Sequence, residues 1–280
     1  MKVAIAGAGV MGSGIALSSL LAGHQTMLFD LNEQAVSKGT GYIAKELEKS
    51  VEKGRISEQV KKDCLERMIA CTDRSQLKAD LILEAVVEKL EVKKELFAYL
   101  ESINDENCIL ASNTSSIPIT QIAAGLKHPG RFVGIHFFNP AHIMKLVEII
   151  SGAATSKETA LKAYEWAQQL GKTAVYVADS PGFIVNRVAR HYYVEGLKIM
   201  EEGVCSFDGI DRLCESAGFK MGPFRLMDLI GVDTNYSVTS SMFELFGYDS
   251  KFRPSRIQKQ KVDAGHHGRK SGKGFYQYEG

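Results

Sequence analysis

Two apolar segments in the middle of the chain each carry one side chain suited to proton transfer. His136 lies near the end of segment 132–137, and Glu148 lies within segment 145–150. If both segments are strands, the connection through Asn139 and Pro140 can place the histidine beside the carboxylate. A carboxylate that holds one ring nitrogen stabilises the imidazolium, which is the usual construction of a general acid/base. The pattern therefore indicates a site for acid–base chemistry.

Each polar candidate also has a purely structural interpretation. His136 alone is as compatible with a hydrogen-bonded core histidine as with a catalyst, and Glu148 alone with a paired strand-edge carboxylate. Ser115 follows a further apolar segment within a polar cluster, where Ser116 is a candidate to cap the next helix. Asn186, near the start of a later helix, could be only a polar contact between domains. Spacing singles out His136 and leaves the others unranked.

No metal centre is expected. His136, His142 and Glu148 could be imagined as ligands, but their separations fit no familiar helical metal motif. The five cysteines are odd in number and widely spaced, and they include no C-x-x-C pair, so neither a disulfide framework nor structural zinc is expected. Buried free thiols are the simpler interpretation, which favours a reducing compartment and predicts a cytoplasmic protein.

The beginning of the chain indicates dinucleotide binding. An apolar segment, 3–6, is followed at once by a glycine-rich turn and then by a helical pattern; the turn reads Gly7-Ala8-Gly9-Val10-Met11-Gly12. In this G-x-G-x-x-G pattern the first glycine permits the tight turn, the second lets a pyrophosphate approach the backbone, and the third lets the helix pack closely on the strand. The pyrophosphate lies on the free N–H groups of the helix. The alternative is a glycine-rich turn in some other α/β protein.

An acidic residue after the second strand indicates which dinucleotide binds. Asp30 follows the apolar segment 25–29 and lies 23 positions after Gly7. Its carboxylate can accept hydrogen bonds from the adenosine ribose hydroxyls and would repel a 2′-phosphate, and no arginine follows it. The pattern favours NAD over NADP as the cofactor.

The elements that must position these residues alternate along the first 180 residues. Apolar segments predict strands at 3–6, 25–29, 80–85, 108–111, 132–137, 145–150 and 174–177, and helical patterns lie at 32–54, 57–68, 88–101 and 157–170. This alternation predicts an α/β fold with a Rossmann-type, doubly wound, mostly parallel sheet. Beyond it, only helical patterns follow, at 183–202, 208–217, 222–246 and 255–264. We therefore predict an NAD-binding domain over 1–180, with a helical projection at about 32–70, and a helical substrate and dimerisation domain over 181–280.

Composition argues against other classes of protein. The 34 Lys and Arg nearly balance the 33 Asp and Glu, for a net charge of +1, so the excess of cations that non-specific nucleic-acid binding requires is absent. Hydrophobic residues make up 45% and charged residues 24%, as in an ordinary globular protein. No run of 18 apolar residues occurs, so no transmembrane helix is expected. The expected partner is a small molecule rather than nucleic acid or a membrane.

Several motifs in one order carry a resemblance to a known family. Besides the glycine motif they are 84–88 (EAVVE), 111–116 (ASNTSS), 136–140 (HFFNP), 144–148 (MKLVE), 181–187 (PGFIVNR), 221–223 (MGP) and 269–276 (RKSGKGFY). Over essentially all 280 residues the chain resembles the short, single-function 3-hydroxyacyl-CoA dehydrogenases, and among them the bacterial 3-hydroxybutyryl-CoA dehydrogenases. The resemblance implies a homodimeric, NAD-dependent oxidoreductase of fatty acid metabolism that interconverts 3-hydroxybutyryl-CoA and acetoacetyl-CoA.

The resemblance also implies roles for individual positions. His136 matches the catalytic base and Glu148 its acidic partner, while Ser115 and Asn186 match residues that hydrogen-bond the substrate's reacting oxygens. Lys53 matches a lysine near coenzyme A. The positions that match the neighbourhood of the cofactor, beside Asp30, are Glu88, Lys93, Asn113, Ser115 and Lys270. One departure is Glu46, where the family often has a small polar residue facing coenzyme A; a carboxylate there would not favour a phosphate.

Two other functions remain open from the sequence. Dehydrogenases of free β-hydroxy acids have a similar layout, but their pattern places a lysine four residues before the asparagine, where this chain has Gly182 before Asn186. The second alternative is a non-catalytic NAD-binding protein with a structural or redox-sensing role. Intact Ser115, His136 and Glu148 argue against lost catalysis.

Overall fold

A computed structural model describes residues 1–279 of the chain. The chain forms two compact units, Met1–Ser180 and the residues from Pro181 onward. The first contains the eight strands found among residues 1–279, which are β1 (Lys2–Ala6), β2 (Gln25–Phe29), β3 (Met68–Cys71), β4 (Leu81–Glu84), β5 (Ile109–Ser112), β6 (Phe132–Phe137), β7 (Leu146–Ser151) and β8 (Thr173–Ala178). Its helices are α1 (Val10–Leu21), α2 (Glu33–Glu52), α3 (Glu58–Arg67), α4 (Leu90–Ile103), α5 (Ile119–Ala123) and α6 (Lys157–Gln169).

The strands form one sheet in the order β3-β2-β1-β4-β5-β6-β7-β8. Every neighbouring pair is parallel except β6 and β7, which run antiparallel. The residues of the central strands β1, β4 and β5 are almost all buried, as in a doubly wound sheet that is covered on both faces. The predicted doubly wound, mostly parallel α/β sheet is therefore confirmed.

The second unit contains only helices among its regular elements in the described residues. They are α7 (Val185–Glu201), α8 (Phe207–Ser216), α9 (Pro223–Ile230), α10 (Val232–Leu245) and α11 (Arg256–Asp263). Its core is rich in aromatic side chains, with Phe224 and Phe275 in edge-to-face contact at a centroid distance of 4.8 Å. The helical character predicted for this part of the chain is confirmed.

Two local interpretations were wrong, and one strand was missed. The segment 222–246 is not one helix, because Gly231 adopts φ +108° and ends α9 before α10 begins. Strand β3 was not predicted, because it has only four residues and follows α3 directly, so periodicity cannot separate it from the helix end. Ser116 does not cap α5; Asp179 does, accepting from the amides of Ile119 at 3.0 Å and Thr120 at 2.8 Å.

A buried ion pair lies at the carboxyl end of β4. Lys93 of α4, only 1% exposed, donates to Glu84 Oε1 at 2.6 Å. The other oxygen of Glu84 accepts from the Ser112 hydroxyl at 2.6 Å, and the Val86 amide donates to Oε1 at 2.7 Å. Burial raises the pKa of Glu84, and the charge of Lys93 opposes that rise. Because buried charges are tolerated only when they are paired, each member of this pair depends on the other.

Replacing Lys93 with Met should therefore destabilise the first unit by about 3–5 kcal/mol at neutral pH, the cost of an uncompensated buried carboxylate. The folded pKa of Glu84 is already raised and would rise further, so the folded state would bind more protons than the unfolded state. The unfolding free energy should then fall as pH increases above the ordinary value of 4.5. Urea unfolding at several pH values, followed by the fluorescence of the single tryptophan, Trp166, measures this effect.

Two controls accompany this measurement. The half-exposed neighbour Lys94 pairs with Glu91 at 3.5 Å, and Lys94→Met should change stability by less than about 1 kcal/mol. Adding Glu84→Gln to Lys93→Met should recover most of the lost free energy, since no buried charge then remains. A Lys93→Met protein as stable at pH 8 as the unaltered chain would contradict this account.

Candidate active site

The glycine-rich turn between β1 and α1 has the shape that a pyrophosphate requires. Gly7 adopts φ +115°, and a Cβ there would lie 2.5 Å from the carbonyl oxygen of Ala85. A Cβ on Gly12 would lie 1.8 Å from the carbonyl oxygen of Gly7, so both glycines are demanded by the fold. A Cβ on Gly9 would meet nothing within 4 Å. Open space therefore lies at the N-terminus of α1, where free N–H groups attract a phosphate.

Asp30 is fixed beside this turn. Its Oδ2 accepts a hydrogen bond from the amide of Ala8 at 3.0 Å, and its Oδ1 accepts from the amide of Asn32 at 3.0 Å. Each carboxylate oxygen retains a further lone pair for a donor outside the protein. Asp30 and the glycine turn together fit an adenosine ribose followed by a pyrophosphate, which is the corresponding part of NAD.

The antiparallel pairing of β6 and β7 brings His136 and Glu148 together. The two residues are direct partners in the register, and the distance from His136 Nδ1 to Glu148 Oε2 is 2.8 Å. His136 is 4% exposed and Glu148 is fully buried. The carboxylate therefore fixes the orientation of the imidazole ring.

Ser115 lies on the opposite side of the imidazole. Its hydroxyl is 3.2 Å from His136 Nε2, so Glu148, His136 and Ser115 form a continuous hydrogen-bonded line. At the end of this line, His136 Nε2 and the Ser115 hydroxyl can each pass a proton to or from a bound hydroxyl group. Each can also donate a hydrogen bond to a bound carbonyl oxygen.

Glu88 holds the loop that carries Ser115. Its Oε1 accepts from the Thr114 hydroxyl at 2.5 Å and from the Ser115 amide at 2.9 Å, and its Oε2 lies 3.0 Å from Lys93 Nζ. Burial acts to raise the pKa of Glu88, but Lys93 and these hydrogen bonds outweigh it, so the pKa is lowered. Glu88 therefore stays ionised, and the buried Glu84–Lys93 pair anchors it. The sequence analysis did not assign a supporting role to Glu84. The one sign of that role was a charged residue within an otherwise apolar strand.

Asn113 ties this loop to the strand of the histidine. Its Oδ1 accepts from the amide of Phe137, the residue after His136, at 2.8 Å. Asn113, Ser115 and His136 therefore share one edge of the sheet, beyond the carboxyl ends of β5 and β6, which is where open α/β sheets bind ligands.

The remaining predicted site residues belong to other elements of the fold. Asn186 is in the first turn of α7, and Lys270 binds Asp233 at 2.7 Å, both within the second unit. Lys53 is exposed at the C-terminal end of α2.

Glu46, the departure from the family pattern, is also on α2. Its carboxylate binds Lys49 Nζ at 2.6 Å, and this hydrogen bond lowers the pKa of Glu46 against the opposing effect of burial. Its other oxygen lies 3.8 Å from His142 Nε2, and His142 Nδ1 lies 3.3 Å from the Tyr42 hydroxyl. The charge of Glu46 is thus compensated on its own helix.

Two further observations concern the described residues as a whole. Across residues 1–279, no three His, Cys, Asp or Glu side chains are grouped so that they could hold a metal ion. No helix in this part of the chain has the length and apolarity needed to cross a bilayer.

Comparison with known proteins identifies the family. The 3-hydroxyacyl-CoA dehydrogenase NAD binding domain matches residues 2–180, and the C-terminal domain of the same family matches residues 182–278. The chain is 45% identical to the 3-hydroxyadipyl-CoA dehydrogenase of Escherichia coli, over 99% of this chain and 58% of that protein. It is 42% identical to a probable 3-hydroxybutyryl-CoA dehydrogenase of Bacillus subtilis, over 99% of this chain and 97% of the relative.

A comparison with a solved structure points to the same family. The (S)-3-hydroxybutyryl-CoA dehydrogenase of Ralstonia eutropha superimposes with a TM-score of 0.96 at 37% identity, over 100% of this chain and 99% of that one. The predicted family, oxidoreductase class and NAD cofactor are confirmed, since the family match includes an NAD binding domain. The chain belongs to the 3-hydroxyacyl-CoA dehydrogenase family.

Proposed function

We propose that the protein interconverts short-chain 3-hydroxyacyl-CoA and 3-ketoacyl-CoA, with 3-hydroxybutyryl-CoA and acetoacetyl-CoA as the simplest pair. The line from Glu148 through His136 to Ser115 is the observation that carries this proposal, because oxidation of an alcohol requires a base for the hydroxyl proton. NAD, held by the turn from Gly7 to Gly12 and by Asp30, would supply the hydride chemistry at C3 when bound. The E. coli relative acts on 3-hydroxyadipyl-CoA, as its name states, and we extend the proposal to six-carbon acyl chains.

The role of each residue follows from the proton path. In oxidation, Nε2 of His136 takes the proton from the 3-hydroxyl group as hydride leaves C3, and Glu148 stabilises the imidazolium that forms. In reduction, the protonated His136 returns that proton to the 3-keto oxygen. Ser115 donates to the same substrate oxygen and holds it near Nε2, while Asn186 binds the substrate's oxygens from α7. Glu88 keeps Ser115 in place through the 2.9 Å bond to its amide.

Binding roles are divided between the two units. We propose that the first unit, residues 1–180, binds NAD, and that the second, residues 181–280, binds substrate and forms a homodimer. The turn from Gly7 to Gly12 takes the pyrophosphate, and Asp30 takes the adenosine ribose. Glu88, Lys93, Asn113, Ser115 and Lys270 lie near the bound cofactor, and Lys93, which is only 1% exposed, acts there through Glu88. Lys53 supplies positive charge for a phosphate of coenzyme A.

Replacing His136 with Gln should lower kcat by about 10²–10⁴-fold, the usual contribution of a general acid/base. Following NADH absorbance with acetoacetyl-CoA measures this loss. The exposed His128, which lies 3.8 Å from Glu106, provides the matched control, and His128→Gln should retain the unaltered kcat. Near-normal turnover by His136→Gln would contradict the role proposed for His136. If the unaltered chain bound NAD but turned over no acyl-CoA, the result would favour the alternative of a non-catalytic NAD sensor.

Replacing Asp30 with Ala should raise the KM for NAD by about 10–100-fold, because charge-assisted hydrogen bonds contribute about 1.5–3 kcal/mol. It should also narrow the preference for NAD over NADP, since the charge that repels a 2′-phosphate is gone. Asp30→Asn keeps the shape of the side chain but removes its charge. Comparing it with Asp30→Ala therefore separates the effect of the lost charge from the effect of the lost hydrogen bond to the Ala8 amide. Glu33→Ala, at an exposed carboxylate nearby, is the control; an unchanged preference in both Asp30 variants would place discrimination elsewhere.

The homodimer is supported by apolar side chains on the second unit. Val188, Val204 and Leu213 are each at least two-thirds exposed in the single chain, and burial against a second copy would remove them from water. Sedimentation equilibrium should give twice the mass of one chain. A monomer at micromolar concentration would contradict this part of the proposal. A cytoplasmic location is proposed with it, since all five cysteines are free thiols.

A further inference from the structure

Arg190 of α7 is a buried cation without an anionic partner. It is 4% exposed, and no carboxylate among residues 1–279 forms an ion pair with it. Its Nη1 donates to the carbonyl oxygen of Asn235 at 2.9 Å and to the Thr239 hydroxyl at 2.8 Å. Its Nε donates to the carbonyl oxygen of Asn186 at 3.3 Å. Nη2 has no hydrogen-bond partner within the described part of the chain.

The charge of this guanidinium is not neutralised by an ion pair within the described residues. Neutral acceptors satisfy some N–H groups of a guanidinium, but they do not cancel its charge. Burial lowers the pKa of Arg190 to about 10, which still leaves the side chain charged at neutral pH. The Tyr193 ring, with its centroid 4.8 Å from the guanidinium carbon, offers only a weak attraction. A carboxylate brought to Nη2 would therefore gain the charge-assisted bond that the protein itself does not provide.

The position of Arg190 relates this missing anion to the substrate. Arg190 lies four residues after Asn186, one helical turn and about 6 Å along α7. Side chains in a helix lean towards its N-terminus, which is why Nε of Arg190 reaches the carbonyl oxygen of Asn186. In the proposed function, Asn186 binds oxygens near C3 of the acyl chain. A carboxyl carbon at C6 lies three bonds beyond C3, about 4 Å in an extended chain.

We propose that Arg190 binds a carboxylate at the far end of the acyl chain and so selects 3-hydroxyacyl-CoA substrates with a dicarboxylic acyl group. This inference rests on the proposed function and adds the class of substrate that the site prefers. Nε and Nη1 already donate to Asn186, Asn235 and Thr239, so the two N–H groups of Nη2 are the donors left for the carboxylate. The competing explanation is a structural cross-link in which Arg190 only ties α7 to α10 through Asn235 and Thr239.

Two substrates of equal length test the proposal on the unaltered protein. 3-Hydroxyadipyl-CoA and 3-hydroxyhexanoyl-CoA each have six acyl carbons and differ in the terminal carboxylate. We expect kcat/KM to be about 10²-fold higher for the carboxylated substrate, the equivalent of one buried charge-assisted pair. Similar values for both would overturn the carboxylate proposal and leave the proposed function intact. Turnover of neither would contradict the proposed function, and this inference would fall with it.

Variants separate recognition from structure. Arg190→Met should lower the ratio of the two kcat/KM values by about 10²-fold, and Arg190→Lys should lower it less, since a positive charge remains on the side chain. A structural cross-link would lower both values together and leave the ratio unchanged, which would overturn the proposal. Arg212→Met removes a largely exposed arginine from α8 and should leave the ratio at that of the unaltered chain. Thermal unfolding shows whether each variant is folded. If Arg190→Met does not fold, the ratio of the two kcat/KM values measured on the unaltered protein still tests the preference for a carboxylate.

Discussion

The contact between His136 and Glu148 is the constraint on which the site depends. It exists because β7 reverses the direction of an otherwise parallel sheet. Directly opposed residues in an antiparallel pair have Cα atoms roughly 4.5–5.5 Å apart, close enough for an imidazole to reach a carboxylate. Burial of both side chains strengthens their attraction, because water is excluded from between them. A parallel β7 would present its residues in a different register and direction.

A second set of charges supports this contact from the other side of the histidine. Ser115 lies on a loop, and loops are mobile unless they are held. Glu88 holds it through hydrogen bonds to Thr114 and Ser115, and Lys93 and Glu84 hold Glu88. Charged groups are expensive to bury, so a network of this kind is stable only while every member is paired. The serine hydroxyl is thereby placed by residues that lie behind it in the interior.

The sequence predicted the parts of the fold that rest on local pattern. The glycine motif required backbone positions without a Cβ, and Gly7 and Gly12 indeed have no room for one. Features that rest on tertiary contacts were beyond prediction: no local pattern gives Asp179, 60 residues away, as the cap of α5. The pairing of Glu46 with Lys49 was visible as an i, i+3 spacing, but its effect on coenzyme A binding depends on side-chain geometry. Glu84 was overlooked because a charged residue in a buried strand needs a partner that only the fold supplies.

Asp30 illustrates how recognition and folding share the same side chain. Its carboxylate binds the Ala8 amide of the glycine turn and also stands where the adenosine ribose of NAD would lie. The side chain proposed to select the cofactor therefore also orders the glycine turn, through the hydrogen bond to the Ala8 amide. In the same way, the Nε of Arg190 binds the carbonyl of Asn186, so the first turn of α7 and the buried cation hold each other. In the proposed roles, replacing Asp30 or Arg190 changes recognition and also removes an internal hydrogen bond, which limits the replacements that each position accepts.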